Sequence, residues 1–415
     1  MIDIKKLIFQ PETFKEACQK KGLKVDIDAL INLKHKQNQL IQDRDKLRHQ
    51  LNLGSEAKPT PEKIEALKVI KSKMKLRENE IDILEKQISE TTALIPNPPF
   101  ADVPVGKDET GNVVWREVGQ PPQFDFEPKD HLQLGQQLDL FDTEKAGEVS
   151  GARFFYLKNE LVLLEFALIR LVYDTLVAEK FIPMIPPVFI KEKHYAGMGR
   201  LTGQQREERY YLPKDELYLV GSAEHTLGPY HADEILEEQE LPKRYLGFST
   251  CFRREAGSYG RDVKGILRTH QFDKVEMFSF ALPEKSEEEH KFLLAQQEKL
   301  MQLLQLPYRV VEICTGDMGF TDARQYDLEV WLPGQNKYRE SHSASNTTDF
   351  QARGENIKVR RKSGQVEYLH MLNATALAIG RILVAIMENY QTREGWIKVP
   401  QVLQKYLSFD LFKRT

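Results

Sequence analysis

The chain has 415 residues, 41% of them hydrophobic and 29% charged, so a packed core is within reach and global disorder is excluded. Its length suggests about two or three domains. With 59 Lys+Arg against 62 Asp+Glu, the formal charge of -3 excludes a histone-like polyanion coat but leaves room for a local basic patch.

Three cysteines, Cys18, Cys251 and Cys314, are odd in number and far apart. That argues against a disulfide framework or a zinc cage and fits a reducing, cytoplasmic compartment. Met1 to Lys6 carries no apolar run of the kind a secretory signal needs. The longest apolar stretch, Leu161 to Val177, is broken by Glu165, Arg170 and Asp174, so no membrane span is expected.

Residues 26–92 read as a helical hairpin. Leu30, Leu33, Leu40, Leu47 and Leu51 fall at alternating steps of three and four, with Gln37 and Arg44 in two seam places. Leu67, Ile70, Met74, Ile81, Leu84 and Ile88 repeat the pattern, with Arg77 in the seam. Such spacing indicates a coiled coil. The intervening Gly54 to Pro61 holds one Gly and two Pro and predicts the turn; Pro96, Pro98 and Pro99 predict the stop. Lys63, Lys68, Lys71, Lys73, Lys75 and Arg77 give the second helix a basic stripe. A stripe of this kind neutralises phosphates by releasing counterions, or is simply a solvated coiled-coil face. A two-helix hairpin of this length has little reason to exist as a core, which favours a binding arm.

Residues 96–145 read as a linker. The body beyond it mixes helix and strand. Asn159 to Lys180 predicts a helix, and Phe181 to Val188 a strand interrupted by prolines, which belongs at an edge. Leu217–Val220, Leu246–Phe252, Gln271–Phe280, Tyr308–Cys314 and Tyr326–Trp331 are short β-rich runs, mostly without crossover helices between them. That favours an antiparallel sheet. Helices are expected over Ser286 to Leu304, capped by Ser286, and over Ala376 to Gln391.

Four segments carry chemistry. Thr250 to Arg261 and Gly265 to Glu276 form a strand, a glycine-bearing loop and a returning strand, rich in arginine; Arg261, Lys264 and Arg268 add charge for leaving phosphates. Leu372 to Arg381 reads as a small-residue entry into a helix, a nucleotide site or merely a plain helix start. Asp327 to Trp331 with Tyr338 to Asn346 offers carboxylates and a Ser-rich loop, hard oxygen ligands for magnesium. Gly221 to Glu224 sets a hydroxyl beside a carboxylate at a strand end, suited to a small ligand with an ammonium group.

Taken together and in this order, behind a helical arm, these segments resemble the seryl-tRNA synthetases of bacterial type. The most specific matches are Phe252 to Glu276, Cys314 to Gly319 and Asn346 to Arg353. The resemblance implies an α+β chain: an antiparallel two-helix coiled-coil arm, then a class II catalytic domain with a mainly antiparallel sheet flanked by helices. The boundaries expected are 1–100 for the tRNA-binding domain and 101–415 for the catalytic domain, with the linker at about 101–145. It implies a homodimer that activates serine with ATP and Mg2+ and transfers it to tRNA(Ser), and to tRNA(Sec) where that exists. The arm would meet the tRNA, and no membrane would be involved.

By motif position the resemblance gives Arg253 to the α-phosphate and the serine carboxylate, and Glu255 to ATP. Phe272 stacks on adenine, and Arg268 and Arg381 hold phosphates. Glu340 and Ser343 hold the metal; Glu276 and Thr375 bind the serine hydroxyl; Asn373, Ser222 and Glu224 complete the amino-acid pocket. Pro187 or its neighbour Pro186 matches the proline of the dimer motif. Arg253, Glu255 and Arg381 would be the catalytic set, with no covalent intermediate, so Cys251, Cys314 and His270 are expected to be structural. Departures are the Ser222-Ala223-Glu224 and His342-Ser343-Ala344-Ser345 variants, Met371, and the divergent segment Tyr195 to Tyr211. Two other classes share parts of this pattern. A carrier-protein ligase would lack the arm, and a non-catalytic paralogue would be expected to lose Arg253, Glu340 or Arg381; this chain keeps all of these features.

Overall fold

The computed structural model describes residues 1–55, 60–255 and 265–414. The chain divides into two compact units, residues 2–98 and residues 99–415 together with Met1.

In the N-terminal unit, α1 (Ile4–Phe9), α2 (Pro11–Lys20), α3 (Ile27–Ser55) and α4 (Pro61–Thr92) follow one another. Leu7, Phe14, Cys18, Ile27, Leu30 and Ile95 close a small core at the base of the arm. Thr60 caps α4 by accepting from the Lys63 amide, and Pro61 takes the first helical position, where its missing N–H costs nothing. The expected heptads form the seam. Leu30, Gln37, Leu40, Ile81 and Leu84 are buried, and Leu33, Arg44, Leu47, Leu51, Leu67, Ile70, Met74, Arg77 and Ile88 are half-buried. Gln37 is tolerated there because its side-chain oxygen accepts from Lys34 Nζ at 2.6 Å. Of the expected turn, 56–59 lie outside the described residues; Gly54, expected in that turn, is still helical. The stripe residues Lys63, Lys68, Lys71, Lys73 and Lys75 are exposed. Lys68, Lys71 and Lys75 recur every three or four residues and share one flank, while Lys68 pairs with Glu65 and Arg77 with Glu80.

The second unit is built on eight strands: β1 (Val113–Val118), β2 (Ile182–Met184), β3 (Lys243–Phe252), β4 (Gln271–Ala281), β5 (Tyr308–Glu312), β6 (Arg324–Leu332), β7 (Lys337–Asn346) and β8 (His370–Ala378). Their order across the sheet is β1-β5-β6-β7-β8-β4-β3-β2. Every pairing is antiparallel except β2 with β3. The proline-bearing β2 sits at the edge, where no ladder donor is missed. One face of the central strands is apolar. Val275 and Met277 of β4, Leu372 and Ala374 of β8, Ala344 of β7 and Leu328 of β6 join the core made with α5 (Glu160–Ala178), α6 (Ser286–Leu303) and α7 (Ile379–Asn389). Among the described residues no helix is long and apolar enough to cross a membrane.

Four expectations change. Residues 101–145 are not a bare linker, because β1 pairs with β5 and closes one edge of the sheet. Ser286 does not cap α6 through its side chain; its hydroxyl donates to the Pro283 carbonyl instead. Asn373 and Thr375 do not open a helix but lie within β8, where they alternate with Leu372 and Ala374 of the core. The Ser-rich loop is likewise β7, a ten-residue strand.

Candidate active site

The other face of the sheet is polar, and two local irregularities shape it. Along β4, Phe272, Lys274 and Glu276 stand at alternate positions and face one cleft, as the period of two requires. Gln325 and Asp327 do the same on β6. On β7, Glu340 and Ser343 are three apart and would point to opposite faces of a regular strand. Leu328 pairs with His342 and Glu329 with Glu340, so Ser341 is an extra residue, and this bulge brings both side chains into the cleft. A second bulge makes Ala376 the extra residue of β8, opposite Val275 and Glu276. It lets Ala378 join Asn373 and Thr375 on the cleft wall and starts α7 where Arg381 reaches the cleft.

The cleft measures about 640 Å³ and is lined by Ser222, Glu224, Arg253, Glu255, Arg268, Phe272, Glu276, Glu340, Ser343, Asn373, Thr375 and Arg381. The residues picked from four separate segments of sequence for nucleotide, amino acid and metal thus share a single cleft. Arg261 and Lys264 lie outside the described residues. The arm residues Lys63, Lys68, Lys71, Lys73, Lys75 and Arg77 belong to the other unit.

At one end of the cleft the groups suit an amino acid. Glu276 Oε2 accepts from Lys274 Nζ at 2.6 Å and lies 3.5 Å from Thr375 Oγ1, its partner across the strand pair. Burial pushes the Glu276 carboxyl up, and Lys274 opposes that. Glu224 Oε1 meets Arg200 Nη2 at 2.6 Å. Burial would raise the Glu224 carboxyl, but Arg200, Lys274 and Arg253 outweigh it and hold it below the ordinary value. Ser222 Oγ accepts from the Glu224 amide. The Asn373 side-chain nitrogen is buried without a hydrogen-bond partner, a donor left for a ligand.

Nearer the nucleotide groups, Arg253 donates through Nε to the Gly221 carbonyl at 3.1 Å and stands 5.3 Å from the Phe272 ring centre. Glu255 occupies the left-handed region at φ +50°, where a non-glycine residue is strained by roughly 1 kcal/mol or more. Arg268 donates to its carboxylate at 2.6 Å and Arg153 to its carbonyl at 3.2 Å, which hold that conformation. Arg381 Nη1 donates to the Glu340 carbonyl at 2.7 Å and approaches its carboxylate at 3.1 Å. The cleft surroundings push the Glu340 carboxyl up, but Arg381, Arg253 and Arg268 win and hold it low.

Asp327, opposite Ser343 across the strands, is pushed well up by burial and by the charge of Glu340. Glu340, Ser343 and Asp327 form a hard oxygen set. Among the described residues no group of three His, Cys, Asp or Glu forms a complete metal cage. Such oxygens are of the donor type taken by a magnesium ion, which keeps few protein ligands and completes its shell with phosphate and water.

His270 Nδ1 faces the Arg253 carbonyl at 3.0 Å, and the Arg253 amide donates to the His270 carbonyl, so His270 braces Arg253. Burial pushes the Cys251 thiol up to about 11, and Cys314 Sγ donates to the Asp108 carbonyl; neither is a poised nucleophile. Sequence reasoning passed over Lys274, Arg200 and Arg209, which also line the cleft. Lys274 was legible as the alternate position between Phe272 and Glu276. Arg200 and Arg209 lie in the divergent 195–211 segment, where no periodicity points to them.

The seryl-tRNA synthetase N-terminal domain model matches residues 1–99, and the class II core domain model for glycine, histidine, proline, serine and threonine tRNA synthetases matches residues 209–390. The serine–tRNA ligase of Dictyoglomus turgidum is 45% identical over 99% of this chain and 99% of its own length. That of Fervidobacterium nodosum is 43% identical over 100% and 99%. Among solved structures, seryl-tRNA synthetase from Pyrococcus horikoshii complexed with ATP superposes with a TM-score of 0.93 at 38% identity, covering 100% of both chains. The cytoplasmic serine–tRNA ligase from Naegleria fowleri in complex with AMP does so with 0.86 at 32% identity, over 97% of this chain and 95% of that one.

Proposed function

This chain belongs to the seryl-tRNA synthetase family, and from that premise we propose how its cleft activates serine and delivers it to tRNA. The chain is an aminoacyl-tRNA ligase that converts L-serine and ATP to seryl-adenylate and pyrophosphate and transfers serine to the 3′ end of tRNA(Ser). We extend the acceptors to tRNA(Sec) where a cell has it. The observation that carries the residue assignment is the convergence of twelve motif residues on one cleft.

Adenylate formation brings a carboxylate against the α-phosphorus of a polyanion. Two like charges must approach, so fixed cations on the path lower the barrier. Arg253 stands between the amino-acid end and the ring of Phe272, where it can meet both the serine carboxylate and the α-phosphate while adenine packs on Phe272. Glu255 fixes Arg268, and Glu340 fixes Arg381; these two guanidinium groups receive the β- and γ-phosphates and the departing pyrophosphate. Glu340 and Ser343 would hold Mg2+, which supplies charge neutralisation across the phosphates when bound. Glu224, Ser222 and Asn373 receive the serine ammonium and backbone, and Glu276 with Thr375 the hydroxyl.

Residues 1–100 act as the tRNA-binding domain, with Lys63, Lys68, Lys71, Lys73, Lys75 and Arg77 as phosphate contacts, and residues 101–415 as the catalytic domain. We read the working form as a homodimer: Leu163, Phe166, Val177, Ile182 and Ile185 are large, apolar and exposed on α5, β2 and the residue after it, beside the buried Pro186 and the exposed Pro187. Three buried free thiols suit the cytoplasm.

Charging of bulk tRNA with each labelled amino acid in turn, with ATP and Mg2+, tests the reading. Serine alone should give acid-precipitable label. Label from another amino acid, or serine-dependent pyrophosphate exchange without transfer to any tRNA, would overturn it.

A further inference from the structure

We propose that Arg209 binds the α-carboxylate of the serine substrate, forming with Arg253 a two-guanidinium fork; this rests on the serine site described above. The cleft is lined by six cationic side chains: Arg200, Arg209, Arg253, Arg268, Lys274 and Arg381. Four are matched by carboxylates, Arg200 by Glu224, Arg268 by Glu255, Lys274 by Glu276 and Arg381 by Glu340. Among the described residues, Arg209 and Arg253 alone of the six have no carboxylate partner.

These two flank the same glycine. A Cβ built on Gly221 would lie 2.8 Å from Arg209 Nη1 and 3.5 Å from Arg253 Cγ. Arg209 is half-buried, its Nε has no hydrogen-bond partner, and its guanidinium rests 5.4 Å from the Tyr195 ring centre. Burial, together with Arg253 and Arg200, disfavours its charge. Two unneutralised guanidinium groups side by side in a cleft are costly until anions arrive. The reaction brings two anions there, the serine carboxylate and the α-phosphoryl group. Glu224 and Glu276 are acids and repel a carboxylate, so the carboxylate of a serine whose ammonium and hydroxyl they receive must turn toward the cations beside Gly221. Arg253, next to Phe272, is placed for the phosphate, and Arg209, beside Gly221 and against the Tyr195 ring, for the carboxylate. Gly221 is the residue without a side chain that lets both approach.

Serine-dependent ATP–pyrophosphate exchange reads the effect, with serinamide, whose carboxylate is a neutral amide, as a competitive inhibitor. Arg209→Gln should raise the serine KM roughly ten- to a hundredfold, as expected for losing a charge-assisted hydrogen bond. The ATP KM and the serinamide inhibition constant should stay within about twofold, and Arg209→Lys should recover part of the loss. Gly221→Ala, which drives a methyl into the Nη1 position without altering charge, should give the same pattern and serves if Arg209→Gln fails to fold. An unchanged serine KM, a parallel rise for serine and serinamide, or a rise in the ATP KM instead would overturn the assignment. Absence of serine-dependent exchange in the unaltered protein would overturn the serine reading itself, together with this one.

Discussion

Replacing Lys274 by Met leaves Glu276 buried without its counter-ion. The pair is 2.6 Å long, and its side chains are 8% and 1% exposed, so little water reaches Glu276 to replace the lost ammonium. Breaking a buried pair from one side costs about 3–5 kcal/mol while the remaining group stays charged. That charge is removable. Burial already raises the Glu276 carboxyl against the pull of Lys274, and without Lys274 it rises further. Between the unfolded carboxyl value of about 4.3 and this raised folded value, the native state holds more protons than the unfolded state. Stability therefore falls as pH rises through that window, by at most about 1.4 kcal/mol per pH unit for one proton. Urea denaturation of both proteins at pH 5, 6, 7 and 8 reads the difference. The loss caused by Lys274→Met should be smallest at pH 5 and largest at pH 8. Lys274→Met combined with Glu276→Gln should recover most of the loss at pH 8, because neither ion is then left alone. A loss of equal size at pH 5 and pH 8, or a double variant as unstable as the single one, would refute the account.

Glu276→Ala should erode discrimination between serine and alanine in pyrophosphate exchange; a site built around a hydroxyl rejects the analogue lacking it by roughly 10⁴, and an unchanged ratio would remove Glu276 from hydroxyl recognition. Glu340→Gln should raise the Mg2+ concentration needed for half-maximal exchange without altering the serine KM, and a magnesium curve that does not move would place the ion elsewhere. Burial, then the hydrogen bond and charge of Asp273, push the Glu165 carboxyl up to about 8; the protein should lose stability as pH rises from about 5 to 8, and Glu165→Gln should flatten that dependence in thermal melts, an identical slope counting against the pairing. Lys71→Glu with Lys75→Glu should raise the KM for tRNA and lower the salt slope of tRNA binding by up to about two, while serine-dependent exchange is unchanged; equal tRNA charging would remove this stripe from recognition.

Local periodicity carried much of the fold. The heptads of the arm were readable because a two-helix seam has a single apolar stripe, and every seam position named from the sequence is at least half-buried, Arg44 and Arg77 included. The antiparallel sheet was readable from short β-rich runs without crossover helices. Where it failed, the cause was small residues: Ala374, Ala376 and Ala378 of β8 suit a helix as well as a strand, so Leu372 to Ala378 passed for a helix entry. Edge strand β1 was missed because Val113-Val114-Trp115 is a short β-rich run set among the Pro, Gly and acidic residues of 96–145.

The sequence by itself determined the chemical inventory of the cleft: which arginines, carboxylates and hydroxyls are present, and that they come in strand-borne groups. It also determined the arm, because a heptad is a local property of one helix. Only the tertiary structure decided which of those groups meet. The bulges at Ser341 and Ala376 turn Glu340 toward Ser343 and reset β8 before Arg381, and a bulge belongs to a pair of strands. The pairing of Arg200 with Glu224, and the meeting of Arg209 with Arg253 over Gly221, were likewise settled by chain packing across distant segments. Charge partners are chosen by distance and burial in space, and neither is encoded in the spacing of residues along the chain.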